Sequence, residues 1–547
     1  MVFTTPPVTA VGLLALLLAI PPSAASPIKT PRQDTVLTLH LPSTVPTDAS
    51  APVDPDFPGL AFEQASWVRY ALDDAGQTNQ FTRNLMSAIY SRTGGRPIIR
   101  LGGTSPDYGR YLPGQQQPAL PVAEQDNYQD IGGTTIGPSY WPIAKLFPEA
   151  TYMVQVPLAA TNISESVAWA VSAVSGIGIG QIHSIQPGNE PDLYSDTFTG
   201  EGGRYLGPPS YQGTLGNETY VGNYTAYASA IRDAVPEVRD AGRFFTAFDV
   251  AAHVDDPATA SWLLSPEACF GLGIDEDGII KEVSQHYYQN NAGSADDLAE
   301  GLMTLSLTHR NLDYMRPRID WLRENRPEVP FIINEIGNSL KVTNSYEYQA
   351  VLGSALWALD FYMYALSIGV RRFNYQQIMH SGFDLWMPVD SAGQAPRVFA
   401  NYYAMPYVAD FAGSSGARVA KIEVEGAAES APNLAAYAAF EGGRARRVAV
   451  ANLDYWNRTS STGDRPVAVI DIGGLEGSGS VKVTKLGSPD GAGADGETIT
   501  YAGSAWSYES LGKEVKGVRN DTETVAVVDG LAQVRVSSSE AVIIHLE

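Results

Sequence analysis

The 547-residue sequence has one cysteine, seven histidines and only 36 basic residues against 60 acidic ones. Each shortage removes a class of explanation. Cys269 alone cannot form an internal disulfide or a thiolate cluster, and a lone cysteine reads as a small apolar core residue. The histidines show no H-E-x-x-H spacing, and no glycine-rich phosphate loop ends in Lys-Ser or Lys-Thr. No metal, cofactor or nucleotide is therefore expected. A formal charge of −24 and a pI near 4.7 disfavour nucleic acid and anionic membrane surfaces as partners. Long hydrophobic runs are missing too. Residues 11–20 form the strongest one, and ten residues are too few to span a bilayer. Pro21, Pro22 and a run of small residues follow it, and no Lys or Arg precedes Lys29. Residues 1–25 thus read as a signal peptide whose positive end is only the terminal amine, and the mature chain as secreted and extracellular.

What is present is an ordinary globular composition, 44% apolar and 18% charged, long enough for two domains. Five N-x-S/T sequons, at Asn162, Asn217, Asn223, Asn457 and Asn520, become glycosylation candidates behind a signal peptide. From residue 59 to 377, short apolar strands alternate with amphipathic helices. Eight strand candidates begin near Gly59, Arg96, Thr151, Gln181, Arg243, Glu282, Pro330 and Val370. Eight βα units in this length predict an α/β fold, a closed (β/α)8 TIM barrel over 59–400 with its site at the C-terminal strand ends. The clearest helix is expected after Asn344, with Glu347 as its capping partner, an apolar stripe through Leu352, Leu356 and Leu359, and a stop at Gly369. Residues 401–547 change to short alternating strands with Gly, Ser and Asp turns, which predicts an all-β sandwich. The segment 26–58 alternates around residues 35–41 and is expected to add a strand to that sandwich.

The chemistry lies at two strand ends. The fourth strand runs out in Q-P-G-N-E-P-D, which places Asn189 and Glu190 at the barrel top. The seventh runs out in F-I-I-N-E-I-G, which places Glu335 at the same level. Two carboxylates across one pocket are what glycosidic bond cleavage requires. A barrel that only bound sugar would need neither, so a non-catalytic carbohydrate-binding protein is the weaker reading.

Four motifs then resemble glycoside hydrolase family 79, the β-glucuronidases and heparanases of clan A. They are I-R-L-G-G-T-S-P-D-Y (99–108), G-N-E-P-D-L-Y (188–194), Q-H-Y-Y (285–288) and the Glu335 segment with S-A-L-W-A-L-D (354–360). The resemblance implies a secreted, retaining exo-β-glucuronidase acting on a glucuronate-containing glycan or glucuronide. It implies Glu190 as acid/base, Glu335 as nucleophile and Asn189 as donor to the sugar 2-hydroxyl. It also implies that Tyr288 orients the nucleophile, that Asp107 binds ring hydroxyls and that His286 sits beside the site. Glu63, Gln376 and Gln377 are further lining candidates. Family members often carry a Tyr and a Gly pair just beyond the nucleophile to grip the glucuronate carboxylate. Here Ser339, Leu340 and Lys341 stand there. Lys341 becomes the candidate carboxylate ligand, and a glucuronate substituted at its 4-position the candidate substrate. A neutral sugar, as in a β-xylosidase or β-glucosidase, is the alternative.

Overall fold

A computed structural model describes residues 35–124, 133–159, 162–194, 216–251, 264–290, 297–339, 345–379, 383–391, 393–475 and 478–546. Strand β1 (Thr35–His40) belongs to the second domain, pairing parallel with Val467–Gly473 and antiparallel with Val424–Glu425. The barrel follows: β2 (Pro58–Glu63), β3 (Ile98–Gly102), β4 (Thr151–Val156), β5 (Ile182–Pro187), β6 (Phe245–Val250), β7 (Ile280–Asn290), β8 (Phe331–Ser339) and β9 (Phe373–Gln377). All pair in parallel in chain order, and β9 returns to β2 to close the cylinder. All eight expected strands are present, and the fold is a TIM barrel with a C-terminal β domain.

Helices cover the outside where their sequence caps allow. Helix α1 (Gln80–Thr93) is capped by the Asn79 side chain, which accepts from the Thr82 amide at 3.2 Å, and it ends at Gly94 with φ 70°. Helix α2 (Ile163–Ile177) is capped by Asn162 and α3 (Asn217–Ala234) precedes β6.

The helix expected from Asn344 onward breaks in two: Ser345–Tyr348, then α4 (Leu352–Ile368). The reason lies in the second domain. The first amides of α4, on Leu352 and Gly353, donate to Ala494 O and Ala492 O at 2.8 and 2.9 Å, so the β domain supplies the helix's start. Nor does α4 show an apolar stripe. Every residue but Ser367 is buried, because it lies between the barrel and the strands Arg418–Ile422 and Leu434–Glu441. Helix α5 (Ala404–Ala412) packs on α1 and completes the helical layer, so the barrel extends past residue 400.

The β domain buries alternate residues in its own core, such as Val448, Val450, Ile470, Ile472, Val481 and Val483. The opposite faces of its strands, including Tyr437, Ala449 and Ala451, join the barrel's core instead. Two-sided burial explains the alanine-rich strand L-A-A-Y-A-A-F-E: small side chains let the second domain approach closely.

Candidate active site

At the lower end of the barrel interior Ile98, Met153 and Ile332 form a small apolar cluster, beside the buried ion pair of Arg372 and Glu282. Above it the axis is occupied by one fully buried arginine. Arg100 Nη1 donates to Glu335 Oε2 at 2.7 Å, and Nη2 to Asp249 Oδ2 at 2.8 Å and Asn189 Oδ1 at 2.6 Å. Its Nε donates to Gln186 Oε1 at 3.1 Å. A buried guanidinium must be met by counter-charge and acceptors, and here β5 with its end, β6 and β8 contribute them. Gly102 makes room for this: a Cβ there would lie 2.9 Å from Arg100 Cζ and 2.6 Å from Gln155 Oε1.

Backbone irregularity brings the acids inward. Across β7 and β8, Gln285 pairs with Ile333 but His286 pairs with Glu335, so Asn334 is the extra residue of a bulge. Consecutive residues Asn334 and Glu335 therefore both face the axis, while Ile333 and Ile336 face outward. A second shift, between Ser284 and Gln285 against β6, coincides with Phe248 at φ 77° and Asp249 at φ 50°. Glu190 is also left-handed, at φ 49°, and its amide donates to Asp249 O at 2.9 Å. Such conformations cost on the order of 1–3 kcal/mol each and concentrate at functional sites.

The two glutamates meet at one imidazole. His286 Nδ1 lies 2.9 Å from Glu190 Oε1 and 3.7 Å from Glu335 Oε2, and Nε2 lies 3.0 Å from Asp249 Oδ2. One carboxylate oxygen of each glutamate and an imidazole nitrogen all fall within 4.8 Å of one another. Tyr288 donates its hydroxyl hydrogen bond to Glu335 Oε1. Burial opposes charge on His286, but Asp249, Glu335 and the hydrogen bond to Glu190 outweigh it and raise its pKa to about 10. Burial likewise opposes charge on Asp249, and His286 with Arg100 hold its carboxyl well below the usual range. The trio Glu190, His286 and Glu335 is close enough to suggest a cation site. Within the chain both ring nitrogens of His286 are already engaged, Nδ1 by Glu190 and Nε2 by Asp249.

The structure places the sequence candidates unequally. Asn189, Glu190, His286, Tyr288 and Glu335 come together around Arg100. Asp107 is buried, and both its oxygens are engaged within the chain. Its Oδ1 accepts from the amides of Leu158 (2.9 Å) and Ala159 (3.3 Å), and its Oδ2 from the Asn189 amide (3.0 Å) and the Tyr194 hydroxyl. It is a buried brace for the turn that carries Glu190, and burial raises its pKa to about 7. Gln377 faces away: its Oε1 accepts from the Leu385 amide at 3.1 Å, and its Nε2 donates to Gln376 O. Strand parity is the cause, since Gln376 shares the inward face with Asn374 and Gln377 cannot. Glu63, beside Gly103, accepts from the Ala65 amide at 2.8 Å and from the Ser105 hydroxyl. Burial raises its pKa to about 7. Lys341 lies outside the described residues.

Sequence reasoning missed Arg100 and Asp249. Arg100 stood inside the quoted motif, an arginine between apolar strand residues, and that was a usable signal. Asp249 gave no such signal, because strict alternation points it outward and the bulge turns it inward.

Comparison with known proteins agrees with this architecture. Residues 436–543 match the family described as the glycosyl hydrolase family 79 C-terminal beta domain. A β-glucuronidase of Aspergillus niger is 26% identical over 98% of this chain and 99% of its own. A β-glucuronidase of Neurospora crassa is 25% identical over 76% of each chain. Among solved structures, a 4-O-α-L-rhamnosyl-β-D-glucuronidase from Fusarium oxysporum, solved as a Rha-GlcA complex, superposes with a TM-score of 0.74 at 20% identity. That match covers 93% of this chain and all of the other. An α-L-arabinofuranosidase from Thermotoga maritima shares the fold at a TM-score of 0.59 and 15% identity, covering 93% and 99%.

Proposed function

We propose that this chain, a glycoside hydrolase of the family 79 type, is a retaining β-glucuronidase that removes terminal glucuronate through a covalent glycosyl-enzyme. The observation that carries the retaining mechanism is the approach of a Glu190 oxygen to a Glu335 oxygen within 4.8 Å. Retaining enzymes keep their carboxyl groups about 5–5.5 Å apart, whereas inverting ones leave about 6.5–9.5 Å for a water. The names of the two β-glucuronidase relatives support glucuronate as the sugar.

The roles follow from the contacts. Glu335, with Arg100 on one oxygen and Tyr288 on the other, is oriented as the nucleophile. Glu190 protonates the leaving oxygen and becomes an anion, which the adjacent imidazolium of His286 stabilises until it takes a proton from the incoming water. When Glu335 forms its bond to the anomeric carbon its charge is consumed, and Arg100 then leans on Asp249 and Asn189. The Oδ1 of Asn189 is used by Arg100, which leaves its amide NH2 as donor for the 2-hydroxyl. Glu63 and Gln376 line the sugar's far side. Lys341 remains the candidate for the uronate carboxylate. Rhamnose on the glucuronate of the Fusarium structure keeps the 4-substituted substrate in view.

Secretion belongs to the same proposal. Asn162 and Asn520 are exposed, and Asn217, Asn223 and Asn457 half-buried at the surface, where glycans would be carried.

The test is a panel of nitrophenyl β-glycosides with the first-formed anomer followed by proton NMR. Hydrolysis of the glucuronide with β-glucuronate released first is expected. An α-anomer would refute retention, and faster hydrolysis of the xyloside or glucoside would replace glucuronate with a neutral sugar.

A further inference from the structure

A cavity of about 350 Å³ opens between the β-domain segments at 496–497 and 505–509 and the hairpin that follows β9. Its walls include Arg397, Tyr403, Glu497, Trp506, Tyr508 and Glu509, none of which belongs to the set around Glu190 and Glu335. We propose that this cavity is a second carbohydrate-binding site, holding neutral sugar units of the glycan whose glucuronate end enters the barrel. The inference rests on the reading of the chain as an enzyme acting on a glycan.

Position is the first argument. The strand Arg397–Val398 pairs with Trp386–Met387 in the segment between β9 and α5, on the face where the C-terminal strand ends open. The β-domain segment opposite is fastened to the same face. Ala492 O and Ala494 O hold the start of α4, and the Tyr403 hydroxyl donates to Gly496 O at 3.0 Å. Both walls are therefore fixed before any ligand arrives.

Chemistry is the second. Tyr508 is 39% exposed and is braced by Phe81, edge to face at 5.1 Å. An exposed, braced ring is the platform on which the C–H face of a pyranose stacks. Trp506 is 2% exposed, with Tyr402 and Tyr403 at 5.5 Å and the Arg92 guanidinium at 5.5 Å from its ring. Its Nε1 nevertheless has no acceptor among the described residues. A buried N–H without a partner needs one from outside the chain. Arg397 is also incompletely used: Nη2 is 3.6 Å from Glu497 and 4.0 Å from Asp495, and the buried Nε has no partner among the described residues.

Charge selects among ligands. Two glutamates stand against one loosely paired arginine, on a chain of net charge −24, which disfavours a polyanion. Donors, acceptors and a stacking ring without net positive charge fit the hydroxyls and C–H faces of neutral sugars. The volume lies within the range of about 300–1,000 Å³ typical of small-molecule sites.

Two measurements test this. In native gels containing arabinogalactan, the Glu335→Gln protein should be retarded without turning the polymer over, and adding Tyr508→Ala or Arg397→Gln should abolish most of the retardation. In the active enzyme, the same two substitutions should raise KM for a glucuronate-capped arabinogalactan about tenfold, the scale of one aromatic contact. They should leave kcat/KM on nitrophenyl β-glucuronide and the melting temperature unchanged. Retardation that survives both substitutions, or equal loss on the polymer and the small glucuronide, overturns the second site. Absence of any retardation overturns it too. If wild type ignores the glucuronide but the gel shift depends on Tyr508, the glucuronidase reading fails and the site stands.

Discussion

The two sides of the catalytic cleft are built in different ways. On the β8 side, Glu335 is held through its side chain, by a guanidinium at 2.7 Å and a phenol, on a bulge that also turns Asn334 inward onto Gln186 and Asp249. On the β5 side, Glu190 is held chiefly through its backbone. It sits at φ 49°, is tied by its amide to Asp249 O, and its carboxylate has one strong neighbour, His286. Under the proposed mechanism the first is the nucleophile and the second the acid/base, and the second has fewer donors and slightly more exposure, 15% against 9%. Division of labour between two identical side chains is thus written in their surroundings rather than their type.

The sharpest way to test that division is to remove each carboxylate in turn. Glu335→Gln should lower kcat by roughly 10⁴-fold or more with any leaving group, because no other group can form the glycosyl-enzyme. Glu190→Gln should cost about 10²–10⁴-fold with a poor leaving group and distinctly less with a nitrophenol, which departs without a proton. Equal losses across leaving groups in both variants would erase the distinction between the two sides.

Next in size is the counter-ion that both sides share. Asp249→Asn leaves His286 buried without the carboxylate that most favours its charge. In wild type its pKa of about 10 lies above the unfolded value of about 6.5, so its contribution to stability is complete below the lower value and lost as pH rises through the higher. The variant should therefore lose activity and stability at lower alkaline pH, with the basic limb of the kcat/KM profile moved down by about one unit or more. An unchanged profile at reduced kcat would make Asp249 merely structural. Smaller again is Tyr288→Phe, which removes one donor from Glu335 and should reduce kcat by about 10- to 100-fold, the scale of a hydrogen bond to a charged group, with KM little changed.

How much of this could be read from the chain depends on periodicity. The eight strands were legible because each is a short apolar run bounded by turns, and Glu190 and Glu335 because they close two of them. What escaped lay where periodicity slips. Asp249 and Phe248 before it are both left-handed, and alternation predicts the wrong face for Asp249. Gln376 and Gln377 are neighbours that both looked like lining residues, although period two puts only one of them inside. The break before α4 was invisible because its cause is the loop at 492–494, more than a hundred residues away. The uronate contact is a different case, since Lys341 falls in a segment the structure does not describe.

Asp107 provides the finest test of the comparison, because it acts on the Glu190 side through three backbone amides and the Tyr194 hydroxyl, not through the Glu190 side chain. Its carboxylate takes the amides of Leu158, Ala159 and Asn189, so Asp107→Asn offers one acceptor oxygen where two were used and turns an NH2 toward N–H donors. The cost should be about 1–3 kcal/mol of stability, with KM for a glucuronide unchanged and kcat lowered less than tenfold. The sign of the pH dependence follows from burial. The folded pKa of about 7 lies above the unfolded value of about 3.9, so wild type gains from this group below the lower value and loses that gain as pH rises through 7. The asparagine does not titrate. The melting-temperature gap between the two proteins should therefore be wide at pH 5 and narrow at pH 8. A raised KM instead would return Asp107 to the substrate and make the Glu190 turn self-supporting.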